Sequence, residues 1–129
     1  MGYYFTKTLT TDFESALLKV TDELKNEGFG IVSEIDMKET MKNKLNVDFR
    51  KYKILGACNP GISFKAISAE PHIGTMLPCN IIIQEHELNK IEVSVVDPVA
   101  SMMAVNNLTL GGLALEARQK MKNVIENLK

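Results

Sequence analysis

Two Cys-Asn dipeptides, Cys58-Asn59 and Cys79-Asn80, are the residues of this chain best equipped for chemistry, and each adjoins a proline, in Cys58-Asn59-Pro60 and Pro78-Cys79-Asn80. Asn59-Pro60 has the grammar of a helix start. Asparagine accepts from the first unpaired N–H groups, and proline has no N–H to leave unsatisfied. A thiol just before such a start has its thiolate stabilised by oriented N–H groups and the helix dipole. Cys58 is therefore a candidate for a partly ionised thiol that binds or carries a group, with Asn59 and Asn80 as amide donors beside it. The competing reading makes both cysteines small buried packing residues. It also makes Asn59 a simple cap, and Asp97, in Asp97-Pro98, a second cap of the same kind. Asn80 stands early in an isoleucine-rich stretch where propensity disfavours a carboxamide, so it serves either nearby loop backbone or a ligand. The candidate ligand-binding set is Cys58, Asn59, Cys79, Asn80 and Asp97; the residue types single out no catalytic group and no cofactor.

Other chemistries lack their parts. A closed zinc site needs about four ligands, usually in local pairs, whereas the two cysteines are far apart in the chain and the histidines are His72 and His86. No metal site is expected. There is no Gly-x-Ser-x-Gly elbow and no Gly-Lys-Ser/Thr phosphate loop. Glu34, Glu85 and Glu87 have no separation that pairs them for acid–base work and read as solvated surface. The methionines at 37, 41, 102, 103 and 121 follow helical spacing and read as core filling.

The 129 residues fit one domain, expected to span 1–129, and 45% apolar with 24% charged residues is an ordinary globular balance. A net charge of -1, with Lys42, Lys44, Arg50, Lys51 and Lys53 interrupted by Asp48 and apolar residues, argues against nucleic-acid binding. No apolar run approaches the ~18 residues of a membrane span. Met1-Gly2-Tyr3-Tyr4-Phe5-Thr6 matches a myristoylation pattern in form, yet its aromatic residues read better as a first strand. Few cysteines and seven methionines suit a reducing compartment, so the expected location is cytoplasmic.

These residues must be positioned by the elements around them. Residues 3–9 read as a strand. Thr11-Asp12-Phe13-Glu14 reads as a capping box with Thr11 as cap, opening a helix that buries Phe13, Ala16, Leu17, Val20 and Leu24 and ends at Gly28. A strand from Phe29 to Ile35 would place Phe29, Ile31 and Ile35 on one face. A short helix from Asp36 would bury Met37, Met41 and Leu45. A strand over residues 52–57 leads to the Asn59-Pro60 helix, which must end before Pro71. Cys79–Gln84 and Ile91–Val96 form a hairpin around residues 85–90, with Cys79, Ile81 and Ile83 on one face and Asn80, Ile82 and Gln84 on the other. On the partner strand Ile91, Val93 and Val95 oppose Glu92 and Ser94. The final helix carries Leu110, Leu113, Ala114, Ala117, Met121, Ile125 and Leu128 on one side; Gly111-Gly112 signals close packing there or a helix that starts after the pair. The order β-α-β-α-β-α-β-β-α predicts an α+β, two-layer domain, mainly antiparallel sheet with helices on one face.

Three ordered blocks carry a resemblance: Tyr52-Lys53-Ile54-Leu55-Gly56-Ala57-Cys58-Asn59-Pro60, Ile73-Gly74-Thr75-Met76-Leu77-Pro78-Cys79-Asn80 and Val96-Asp97-Pro98. The chain resembles the prokaryotic family called domain of unknown function 302. The resemblance implies a compact α+β domain that often self-associates, and it assigns no reaction. Gly61-Ile62-Ser63-Phe64 departs from the alanine-rich helix the family leads one to expect, which leaves that helix's length open. Together these readings point to a homodimeric binding module for a small molecule or sulfur species at the two Cys-Asn junctions. The alternative is a structural oligomerisation domain with packing cysteines.

Overall fold

The computed structural model describes residues 2–129; Met1, the first residue of the myristoylation pattern, lies outside them. Its elements are β1 (Tyr4–Thr10), α1 (Phe13–Asn26), β2 (Gly30–Asp36), α2 (Met37–Leu45), β3 (Tyr52–Cys58), α3 (Pro60–Ala69), a 3-10 helix (Pro71–Met76), β4 (Cys79–Glu87), β5 (Lys90–Val96), α4 (Pro98–Ser101) and α5 (Leu108–Asn127). The strands form one antiparallel sheet in the order β1-β5-β4-β3-β2. The α+β reading with helices on one face holds.

Period-two alternation on the hairpin decides which face is dry. Ile81, Ile83, Ile91, Val93 and Val95 point to the same side and are fully buried with Leu55 and Ala57. They meet the stripes Phe13, Ala16, Val20 and Leu24 of α1 and Met121, Val124 and Ile125 of α5. Each large aliphatic side chain removed from water in this way stabilises the fold by about 1.5–3 kcal/mol. The end of the chain is tied to β1, where the Lys7 ammonium donates to the Leu128 carbonyl at 2.6 Å. A smaller cluster of Ala66, Ile73 and Leu110, with Leu77, Met102 and Leu113 against it, joins α3, the 3-10 helix and α5.

Several local expectations are corrected. The α1 cap is Asp12, whose Oδ1 accepts from the Ser15 N–H at 3.0 Å and whose Oδ2 accepts from the Ser15 hydroxyl at 3.1 Å. Asp12 takes the Ser15 N–H, where a Thr11 cap would take the Glu14 N–H, so the helix starts one residue later. A bulge between Ile31 and Ser33 inverts the alternation of β2. Ile35 therefore lands opposite Ile54, away from the side that holds Phe29, and is exposed. No residue of α2 is buried: it packs beside β3 without entering the core, Met37 and Met41 are half-buried and Leu45 is exposed. The hairpin turn is shorter than expected, because β4 continues to Glu87 and Asn89 takes a positive φ of 60° in the tight turn. Finally, α5 runs straight through Gly111 and Gly112, and a Cβ at either position would meet nothing within 4 Å. Neither close packing within the chain nor a later helix start accounts for the glycine pair.

Candidate functional site

Cys58 closes β3 and Cys79 opens β4, and these strands are neighbours, with Ala57 opposite Cys79 and Gly56 opposite Asn80. Successive side chains in a strand point to opposite faces. Cys79 therefore goes with Ala57 beneath the helices and is 8% exposed. Burial, and then the neighbouring Cys58, push its thiol up to about 11, so it is protonated near neutral pH. Cys58 falls on the other parity and is half-buried, its Sγ 3.0 Å from the Ser63 Oγ in the first turn of α3.

Asn59 is fully employed. Its Oδ1 accepts from the Ile62 N–H at 3.3 Å, capping α3, and its Nδ2 donates to the Glu27 carbonyl at 3.4 Å, tying that cap to the end of α1. The space that Asn59 and Cys79 share beneath α3 and α5 is about 20 Å³, which holds about one water. Asp97 also has structural partners. Its Oδ1 accepts from the Val99 N–H at 3.0 Å, and its Oδ2 lies 3.4 Å from the Arg118 Nε of α5. The Arg118 guanidinium in turn sits 5.7 Å over the Phe5 ring. The structure thus gathers Cys58, Asn59 and Cys79 around the entrance to α3, sets Asp97 at the start of α4, and sends Asn80 to the other side of the sheet.

That other side carries no helix, and register builds it in rows. Tyr52, Gln84, Glu92 and Thr8 lie side by side across four strands. The next row is Ile35, Ile54, Ile82, Ser94 and Thr6. The third holds Ser33, Gly56 and Asn80, with Val96 opposite Tyr4 just past the β4–β5 ladder. Gly56 is required in this row, because an added Cβ would collide with the Ser33 hydroxyl and with the Pro78 ring lying over it.

Along these rows runs a cleft of about 430 Å³, bordered by Tyr3, Tyr4 and Tyr52 and floored by Asn80, Ile82, Gln84, Glu92, Ser94 and Val96. Two of its polar residues are deeply recessed for a face without helices: Gln84 is 7% and Ser94 4% exposed. Both are held in place. The Arg50 Nε–H donates to Gln84 Oε1 at 3.0 Å, and Gln84 Nε2 donates to Glu92 Oε1 at 3.1 Å. The Thr6 hydroxyl donates to the Val93 carbonyl at 3.2 Å and lies 3.0 Å from the Ser94 hydroxyl. Asn80 is exposed here, and among the described residues its side chain makes no hydrogen bond. Sequence reasoning identified this face, through the alternation of Asn80, Ile82 and Gln84 against Glu92 and Ser94. It did not identify the face as a site, because the tyrosines that border the cleft come from distant parts of the chain.

No helix among the described residues is long and apolar enough to cross a membrane. No curated protein matches the sequence. Among solved structures, an uncharacterized conserved protein DUF302 from Bacillus stearothermophilus superimposes with a TM-score of 0.90 at 20% identity, covering 100% of each chain; at that identity the likeness speaks to the fold alone. Residues 5–128 match the family model described as Domain of unknown function DUF302.

Proposed function

Because the chain belongs to the DUF302 family, whose name assigns no reaction, we propose its function from geometry: it is a small-molecule binding module of the cytoplasm, and its site is the cleft on the helix-free face of the sheet. The observation that carries this reading is the pair Gln84 and Ser94, polar side chains almost fully withdrawn from solvent at the floor of an open cleft and oriented by fixed partners. A volume of about 430 Å³ falls in the ~300–1,000 Å³ range of ligand pockets, which pair apolar walls with a few placed polar groups. Ile82, Val96 and the tyrosines supply the walls. Of the two Cys-Asn junctions, Asn80 contributes directly. Cys58 and Asn59 contribute by holding the β3–α3 corner. The test is a mixed-charge fragment set titrated against isotope-labelled protein. Saturable shifts of the Ser94 amide and the Ile82 methyl signals are expected, with Cys79 and Ala66 unmoved. A set that moves neither Ser94 nor Ile82 ends this reading.

A second reading, a homodimer with a structural role, is favoured by the apolar side chains at the free sheet margins: Tyr3, Tyr4, Val32 and Ile35 are all exposed. Sedimentation at micromolar concentration separates the two. A stable dimer that hides Ser94 and Ile82 from solvent supports the structural role. The sulfur-handling version rests on Cys58 alone and requires it to alkylate faster than an unstructured thiol near neutral pH.

A further inference from the structure

We propose that the occupant of the open-face cleft is a small organic cation, an ammonium head on a flat apolar body. This inference rests on the reading of that cleft as the binding site. Among the residues that border it, Glu92 is the one that carries a charge; Asn80, Gln84 and Ser94 are neutral. Its carboxylate is oriented: Oε1 accepts from Gln84 Nε2 at 3.1 Å, and Gln84 cannot turn its amide over, because its own Oε1 is held by the Arg50 Nε–H at 3.0 Å.

The basic side chains nearby are not among the residues that line the cleft. The Arg50 guanidinium lies over the Phe49 ring at 4.5 Å and the Tyr52 ring at 5.5 Å, and the His86 Nε2 stands 3.7 Å from the same Glu92 Oε1 that Gln84 uses. Among the described residues Glu92 Oε2 has no hydrogen bond or ion pair. An anionic ligand would meet this carboxylate across the floor, whereas a cation is attracted by it; the Tyr52 ring, already covered by Arg50, serves as wall for the body of the molecule. Ile82 and Val96 offer the apolar floor for the body of the molecule, and Asn80 offers a free amide at the far end.

The experiment uses three probes with one ring and three head charges: tyramine (cation), 4-ethylphenol (neutral) and 4-hydroxyphenylacetate (anion). Each is titrated into the labelled full-length protein while the Ile82 methyl and Ser94 amide signals are followed. Tyramine is expected to shift both saturably and to bind at least about tenfold more tightly than the other two, a difference of about 1.4 kcal/mol. Glu92→Gln, whose amide oxygen can still accept from Gln84, is expected to erase that preference, and Tyr52→Leu to weaken tyramine without altering the preference. If the neutral or anionic probe binds as well, or if Glu92→Gln leaves the preference intact, the cation assignment fails and the cleft reading stands. If all three leave the signals in place, the assignment fails as well; a mixed-charge fragment set that still moves them preserves the cleft, and its silence removes both. A dimer that covers the face and excludes tyramine likewise overturns the assignment.

Discussion

Cys79 and Asn80 are consecutive in β4 yet look out on opposite sides of the sheet: Cys79, opposite Ala57, lies under the helices, while Asn80, opposite Gly56, lines the open cleft. The two dipeptides that look alike in sequence therefore do not converge on one site. Cys79 belongs to the packing layer, Cys58 and Asn59 to the corner that starts α3, and Asn80 to the surface where a ligand has room.

Burial of the Cys79 thiol makes folding sensitive to alkali. Its folded-state value is raised from 9.0 to about 11. The contribution of the neutral thiol is therefore fully present below pH 9 and is lost as pH rises from 9 towards 11. Urea unfolding at pH 7 and at pH 10.5 should show the wild type losing roughly 2 kcal/mol more than Cys79→Ala over that interval. Equal losses for the two proteins would show that the thiol is not desolvated in the folded state. Iodoacetamide at pH 7 should label Cys58 well before Cys79.

Asn59 joins two elements with one side chain, so its replacements can be ranked. Asn59→Ala removes the α3 cap and the bond to the Glu27 carbonyl and should cost about 1–2 kcal/mol. Asn59→Asp restores the acceptor for the Ile62 N–H but places a second oxygen against that carbonyl, so its loss should equal or exceed that of alanine. Denaturant midpoints of the three proteins decide the order; an aspartate variant as stable as wild type would mean that the tie to α1 contributes nothing.

Gly56 is the point where β3 accepts the Pro78 ring. Gly56→Ala should destabilise the fold by about 1–3 kcal/mol, because backbone and ring must separate to admit the methyl group. Removing the Ser33 hydroxyl as well should recover only part of the loss, since the collision with Pro78 remains. Full recovery in Gly56→Ala, Ser33→Ala would place the crowding at the Ser33 hydroxyl alone.

Gly111 and Gly112 stand inside α5 with open space where their side chains would be. Replacing both with alanine should raise stability by about 1–2 kcal/mol, since glycine is the poorer helix former by about 1 kcal/mol at each position. The same variant tests the structural reading. If this stripe is where a second copy sits, the folded protomer becomes more stable while self-association measured by sedimentation weakens. An unchanged association separates the glycines from any interface.

Much of the fold was legible in the sequence because it is written in local rules. The caps at Asn59-Pro60 and Asp97-Pro98, the stop at Gly28, the stripe of α1 and the two faces of the hairpin depend on spacing between near neighbours, and backbone geometry reads such spacing directly. Ile35 escaped this reading because a bulge two to four residues earlier inverted its face, and α2 escaped it because periodicity does not say which side of a sheet a helix will flank. Sequence by itself determined the α+β layering, the two faces of the β4–β5 hairpin and the corner at Cys58-Asn59. Tertiary structure alone decided that Asn80, Gln84, Glu92 and Ser94 share a cleft with Tyr4 and Tyr52, because those residues become neighbours through strand order and register, which are set by the packing of the whole sheet rather than by any one segment.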